Sequence, residues 1–179
     1  MSVICPGGES ITVSTTLGSG YDVEHERMMN FNPLKAACKF AIANPLFVMR
    51  DITGDGEPET FCNRGLDEIA KAMGYSGFHR LSANNQITLM RCSPDWTEDS
   101  MERAVAHALR GGLSVACLND EPHGHVAVVY PSEMESSSTW GEDVAIVANV
   151  GKTNAIMRLS GAFRVEDRPS VSFFLHGDG

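Results

Sequence analysis

Thr60-Phe61-Cys62-Asn63-Arg64-Gly65-Leu66-Asp67-Glu68-Ile69-Ala70-Lys71-Ala72-Met73-Gly74 is the stretch on which the fold turns. Cys62, Leu66, Ile69 and Met73 follow at steps of four, three and four, which puts their side chains on one face of a helix. The spacing predicts a helix from Phe61 to Met73, with Thr60 as its N-cap and Gly74 as its stop. Cys62 then lies in the first turn, where unpaired backbone N–H groups and the positive end of the helix dipole favour a thiolate. A lowered thiol pKa is expected there, and the same N–H groups can hold an oxyanion. The competing reading makes Cys62 simply the first apolar residue of the inward face.

Upstream, Asp51 to Glu59 is a loop of turn formers. Its Asp51-x-Thr53-Gly-Asp55-Gly56 run matches the start of a calcium-binding EF-hand loop, but position twelve is Cys62 where a bidentate Glu is required. Asp51, Thr53 and Asp55 are thus a weak calcium option, and a plain acidic turn is the preferred reading. Before the loop, Pro33 to Ala43 reads as a short helix with Leu34, Ala37, Cys38 and Ile42 near one face, closed by Asn44-Pro45. Residues 1 to 31 read as an irregular lead-in containing a strand at Ile11–Thr16. Downstream, Ala83 to Arg91 and Glu98 to Arg110 are predicted helices, the second capped by Thr97 and stopped by Gly111-Gly112. Four short β-branched or aromatic runs follow: Leu113–Leu118, His125–Tyr130, Val144–Asn149 and Val171–Leu175. Helices first and strands after predict an α+β domain, with helices packed on one face of a small antiparallel sheet.

The chain has 179 residues, enough for one domain with a sizeable core. Residues 1–44, the extension and first helix, are expected to pack on a catalytic domain formed by residues 45–179. The formal net charge is −9, and Lys and Arg do not cluster. That argues against nucleic acid or an anionic membrane as partner. The five cysteines are odd in number and include no C-x-x-C pair, which disfavours a zinc ribbon or a thioredoxin motif. Free thiols are the expectation, with Cys5, Cys38, Cys92 and Cys117 assigned to packing or incidental exposure. The N-terminus has neither a basic start nor an apolar h-region, so synthesis in a cytoplasm without a secretory signal is expected. Action elsewhere would follow lysis or specialised delivery.

A cysteine nucleophile needs a base. His125 opens a predicted strand after the Pro122-His-Gly124 turn, and a histidine at a strand mouth can face a helix N-terminus distant in sequence. His123 shares its strand face and is the competitor. His125 is preferred because Gly124 leaves room beside it and the apolar run starts directly after it. The group orienting the imidazole is assigned to Asn149, at the end of the following strand, with Asp143 and Asp120 as weaker alternatives. A surface histidine and a plain strand-end asparagine are the alternative readings. Asn63, Asn84 and His123 are candidate substrate contacts, and Ser82 to Arg91 a candidate cleft wall. A metal site on His123, His125 and Cys62 lacks a convincing further ligand, so no metal or other cofactor is expected. His107 reads as solvated.

In this order and spacing, Thr60-Phe-Cys-Asn63 with its amphipathic helix ending in Met73-Gly-Tyr75, then Gly124-His-Val-Ala-Val-Val129, then Val147-Ala-Asn-Val-Gly151, resembles the NlpC and CHAP cysteine peptidases. The likeness is closest to phage-associated lysins and to peptidoglycan amidases delivered by type VI secretion. It runs over roughly residues 45 to 175, including Trp140-Gly141 and Ala162-Phe163. It implies a papain-like fold, a Cys-His-polar triad and hydrolysis of amide bonds in peptidoglycan stem peptides, for instance between D-Glu and diaminopimelate. By that resemblance Cys62 is the nucleophile, His125 the base and Asn149 the third member, a place where many relatives carry His or an acid. Some CHAP lysins also hold calcium just ahead of their cysteine. The implied partners are peptidoglycan stems and a cognate inhibitor or delivery machinery. The rivals are another protein or peptide amide as substrate, a structural part of a phage or secretion particle, and a metalloenzyme.

Overall fold

The computed structural model describes residues 32–177, so the Ile11–Thr16 strand lies outside the described residues. Helix α1 (Pro33–Ala43) starts on Asn32, whose side chain accepts from the Lys35 N–H, and has proline in its first turn. That position leaves no intrahelical bond broken. Helix α2 (Cys62–Ala72) buries Cys62, Leu66 and Ile69, on the periodicity read from the sequence. Its N-cap is Phe61, with no capping side chain, rather than Thr60. Helix α3 (Ala83–Cys92) is capped by Ser82.

The next element departs from expectation. Glu98 does not start a helix: Trp96–Asp99 is strand β1, and helix α4 (Met101–Leu109) begins only after Ser100, whose hydroxyl accepts from the Arg103 N–H. The acidic residues that read as a helical first turn instead lie on an edge strand, where exposed charge blocks further pairing. Strands β2 (Ser114–Leu118) and β3 (His125–Val129) follow. The run read as one strand from Val144 splits at Ala145. Residues Glu142–Val144 form β5, paired with β4 (Glu135–Ser137) in a separate hairpin, and Ile146–Asn149 form β6. Strand β7 (Ala155–Arg158), short helix α5 (Leu159–Ala162) and β8 (Ser172–His176) complete the order.

The main sheet has six strands in the order β1-β8-β2-β3-β6-β7, with every neighbouring pair antiparallel. The molecule is thus α+β. Every residue of β2 and β6 is buried, so the middle of the sheet is covered on both faces, not on the single face expected. No helix among the described residues is long and apolar enough to cross a membrane.

Two contacts fix where α2 lies. At its far end, Tyr75, Phe78, Trp96 and His176 form an aromatic cluster that includes β1 and β8, edge-to-face at Tyr75–Phe78 and Tyr75–Trp96 and tilted at Trp96–His176. At its near end, Gly65 lies against Val150: a β-carbon added at Gly65 would fall 2.6 Å from that of Val150. No side chain fits, and this is what brings the start of α2 down onto β3 and β6.

Gly65→Ala should therefore lower stability by about 1–3 kcal/mol through overpacking, although alanine is the better helix former by about 1 kcal/mol. Denaturant unfolding of the two proteins reads the difference. An unchanged or raised midpoint would contradict the close approach.

Candidate active site

The sequence places Cys62, His125 and Asn149 on three separate elements, and the sheet order brings those elements together. Strands β3 and β6 are neighbours, with Val128 opposite Ala148 and Val129 opposite Val147. Continuing that register sets Gly151 opposite His125 and makes Asn149 its diagonal neighbour on the same face, within reach of a long side chain. The two side chains bond: His125 Nε2 and Asn149 Oδ1 are 2.7 Å apart. Asn149 is 5 % exposed, and its Nδ2 donates to the Thr153 carbonyl at 2.6 Å. The carbonyl cannot donate, so it fixes which end of the amide faces the histidine. Oδ1 is an acceptor, so Nε2 carries the ring proton and Nδ1 is the ring nitrogen with a free lone pair.

The imidazole is held on two further sides. The Phe163 ring lies 5.1 Å from it, centroid to centroid, tilted by 59°. Gly151 lies along its edge, where an added β-carbon would come 3.4 Å from Cε1. The loop carrying Gly151 is itself tied down. Its N–H donates to Asn154 Oδ1, and Asn154 Nδ2 donates to the Phe47 carbonyl. Neither Asp120 nor Asp143 pairs with His125. Asp120 Oδ1 accepts from the Glu121 N–H, and Asp143 is exposed on the β4–β5 hairpin.

Cys62 is the first residue of α2. Cys62 lies against Val126, the residue directly after His125, the two lining one small cavity. The sulfur thus lies at the strand mouth that presents the imidazole. Cys62 is 7 % exposed and lines an open cleft of about 700 Å³. The three expected substrate contacts, Asn63, Asn84 and His123, line the same cleft. Two of them also have structural tasks. Asn63 Nδ2 donates to the Leu81 carbonyl, while buried Gln86 donates to the Asn63 carbonyl, lashing α2 to α3. Asn84 Nδ2 donates to the Asp120 carbonyl. Its Oδ1 occupies the space a β-carbon of Gly124 would need, so the room beside His125 is filled by Asn84. His123 is exposed.

Burial sets the electrostatics. It pushes the Cys62 thiol above its ordinary range, outweighing the Val126, Asn63 and Cys62 N–H groups that pull it back. The lowered pKa expected from the helix start is therefore not found in the free protein. Burial also depresses the His125 pKa, which the Asn149 bond only partly restores. Both effects favour the neutral form of each group. Burial pushes Cys38 and Cys117 up to about 12, with Arg91 lowering and Glu98 raising the second, which makes them inert packing residues. His107 is buried and bonded through Nδ1 to Ser114 Oγ at 2.9 Å. It is a structural residue of the α4–β2 junction, not the solvated side chain expected.

In the upstream loop, the two oxygens of Asp51 accept from the N–H groups of Gly54 and Gly56, and Asp55 accepts from Glu57. The loop closes on itself as a turn by these bonds. Among the described residues, no group of three or more His, Cys, Asp or Glu side chains could hold a metal ion. Sequence reasoning missed Val126, Thr153 and Phe163, because a backbone group or a packed ring has no signature in residue type.

The fold and site together define an α+β protein with a cysteine at a helix start, lining an open cleft, and an asparagine-held histidine at the start of the strand that this helix packs against. No protein-family model matches the chain, and no curated protein sequence matches it.

With the thiol raised, iodoacetamide should modify Cys62 progressively faster as pH rises toward and beyond the ordinary thiol value. Mass spectrometry of the Cys62 peptide reads this separately from exposed Cys92. A rate already at its plateau near pH 5 to 6, roughly, would indicate a preformed thiolate–imidazolium pair and contradict the neutral pair.

Proposed function

We propose that the chain is a papain-like cysteine amidohydrolase of the NlpC and CHAP kind, acting on peptide amides of peptidoglycan stems. The observation that carries the chemistry is the shared strand mouth: Cys62 lies against Val126 at the start of β3, and the preceding residue is a histidine bonded to Asn149. The peptidoglycan assignment rests on the likeness of the Thr60–Tyr75, Gly124–Val129 and Val147–Gly151 segments to that family.

In this reading Nδ1 of His125 takes the Cys62 proton as the sulfur attacks the substrate carbonyl. A neutral pair is suited to that order of events. Charge separation, costly in a buried site, is deferred until the substrate excludes water and supplies the developing charge. The tetrahedral oxyanion is held by N–H groups at the start of α2, which no capping side chain occupies. The imidazolium is stabilised by Asn149 Oδ1 and then protonates the leaving amine through Nδ1. Water, deprotonated by the same nitrogen, attacks the thioester carbonyl, and the sulfur leaves to regenerate the enzyme.

Digestion of purified sacculi, with mass spectrometry of the released fragments, tests this. Wild type should create new amine and carboxyl termini within the stem peptides, and Cys62→Ala should release none. Asn149→Ala should reduce kcat by roughly 10- to 100-fold while leaving KM near wild type. Fragments released equally by Cys62→Ala, or none released by wild type, would overturn the proposal.

A further inference from the structure

A second cavity, of about 450 Å³, adjoins the Cys62 cleft, and Asn63 lines both. Its floor is apolar, with Phe47 and Phe78 buried. Its charged lining is Arg64, Asp67, Glu68, Lys71, His79 and Arg80.

These charges do not cancel. Asp67 Oδ2 bonds Lys71 Nζ at 2.6 Å and lies 3.5 Å from His79, so one carboxylate balances the lysine. The other oxygen of Asp67 is shut off from solvent. That leaves two guanidiniums, Arg64 and Arg80, against the single carboxylate of Glu68. Neither arginine makes a hydrogen bond or ion pair among the described residues. Arg64 is instead laid against the Phe61 ring, 5.2 Å from its centroid. That contact positions the guanidinium without using any of its N–H donors.

Arg80 carries a backbone signal as well. Its φ is +62°, the one non-glycine residue in the left-handed region among the described residues. Side chains with a β-carbon disfavour that conformation, and it is characteristic of functional sites. A glycine would relieve it; the chain has an arginine there, on the rim of this cavity. The adjoining Cys62 cleft has the opposite polarity, being lined by Asp55, Glu57 and Glu59.

The geometry points to a carboxylate-binding subsite: Arg64 and Arg80 receive a free carboxylate of the substrate, and the acidic residues of the adjoining Cys62 cleft disfavour its binding there. Two open guanidinium forks suit a planar carboxylate, and the apolar floor takes the aliphatic carbons beside it. This inference rests on the proposed hydrolase reading for the identity of the substrate, a stem peptide with free carboxylates. The difference in charge between the two cavities favours one placement of such a peptide over its reverse.

Calorimetric titration of the full chain carrying Cys62→Ala tests it, with two probes: the tripeptide L-Ala-γ-D-Glu-diaminopimelate with free carboxylates, and the same peptide with them amidated. The acid should bind about tenfold more tightly than the amide. Arg64→Gln with Arg80→Gly should remove that preference while preserving the unfolding midpoint, since glycine relieves the backbone at position 80. Equal affinity for the two probes, no binding of either, or a preference that survives both substitutions would overturn the subsite. Incubating wild type with both peptides separates the two readings. Cleavage of both at equal rates leaves the hydrolase standing and removes the subsite. Selective binding of the acid without cleavage leaves the subsite standing and removes the hydrolase on this peptide.

Discussion

The orientation of one buried amide governs the site. Asn149 lies between a backbone carbonyl, which accepts only a donor, and an imidazole, which is therefore offered only an acceptor. Reversing the amide would set oxygen against oxygen at Thr153 in a buried setting, an unsatisfied pair costing about 1–3 kcal/mol. The choice of histidine tautomer follows from it, and so does the identity of the nitrogen with the free lone pair. The constraint propagates outward: Thr153 and Asn154 belong to the β6–β7 loop, which is pinned to the Phe47 carbonyl. A histidine chosen by its position at a strand mouth thus becomes a histidine with a defined protonation pattern.

The second constraint is closeness. Gly65 against Val150 lets α2 sit directly on the sheet, and this sets Cys62 against Val126. The same approach dehydrates the sulfur. Dipole and burial therefore act in opposite directions on Cys62, and burial wins in the free protein. Such a thiol is protected from adventitious oxidation, which requires thiolate character. It gains nucleophilicity when the neighbouring base and the oxyanion donors act together on a bound carbonyl.

Much of this was legible in the sequence, and the failures have physical causes. Helices α1, α2 and α3 followed from apolar periodicity, although the cap of α2 did not, and the core runs of β2, β3, β6 and β8 from β-branched and aromatic residues. The pairing of Asn149 with His125 was readable because successive core strands tend to be neighbours in a sheet, and the β4–β5 hairpin between them leaves β3 and β6 adjacent. Strand β1 was missed because Thr97, Glu98 and Asp99 mimic a capped helical first turn, whereas tertiary pairing with β8 decides the matter. Strand β7, on the opposite edge, lacks a continuous apolar run because alternate residues face outward. Cover on both faces of the sheet could not be read from local pattern. The thiol pKa was misjudged because the helix dipole is visible in sequence and burial depth is not. His107 was misjudged for the same reason.

The account stands or falls on which nitrogen of His125 carries the proton and whether the other senses the sulfur. Long-range proton–nitrogen correlation spectra of the histidine side chains, recorded above the imidazole pKa, read both. The account predicts a ring protonated at Nε2, with the Nδ1 resonance shifting when Cys62 is replaced by alanine. A ring protonated at Nδ1, or an Nδ1 resonance indifferent to that replacement, would contradict it.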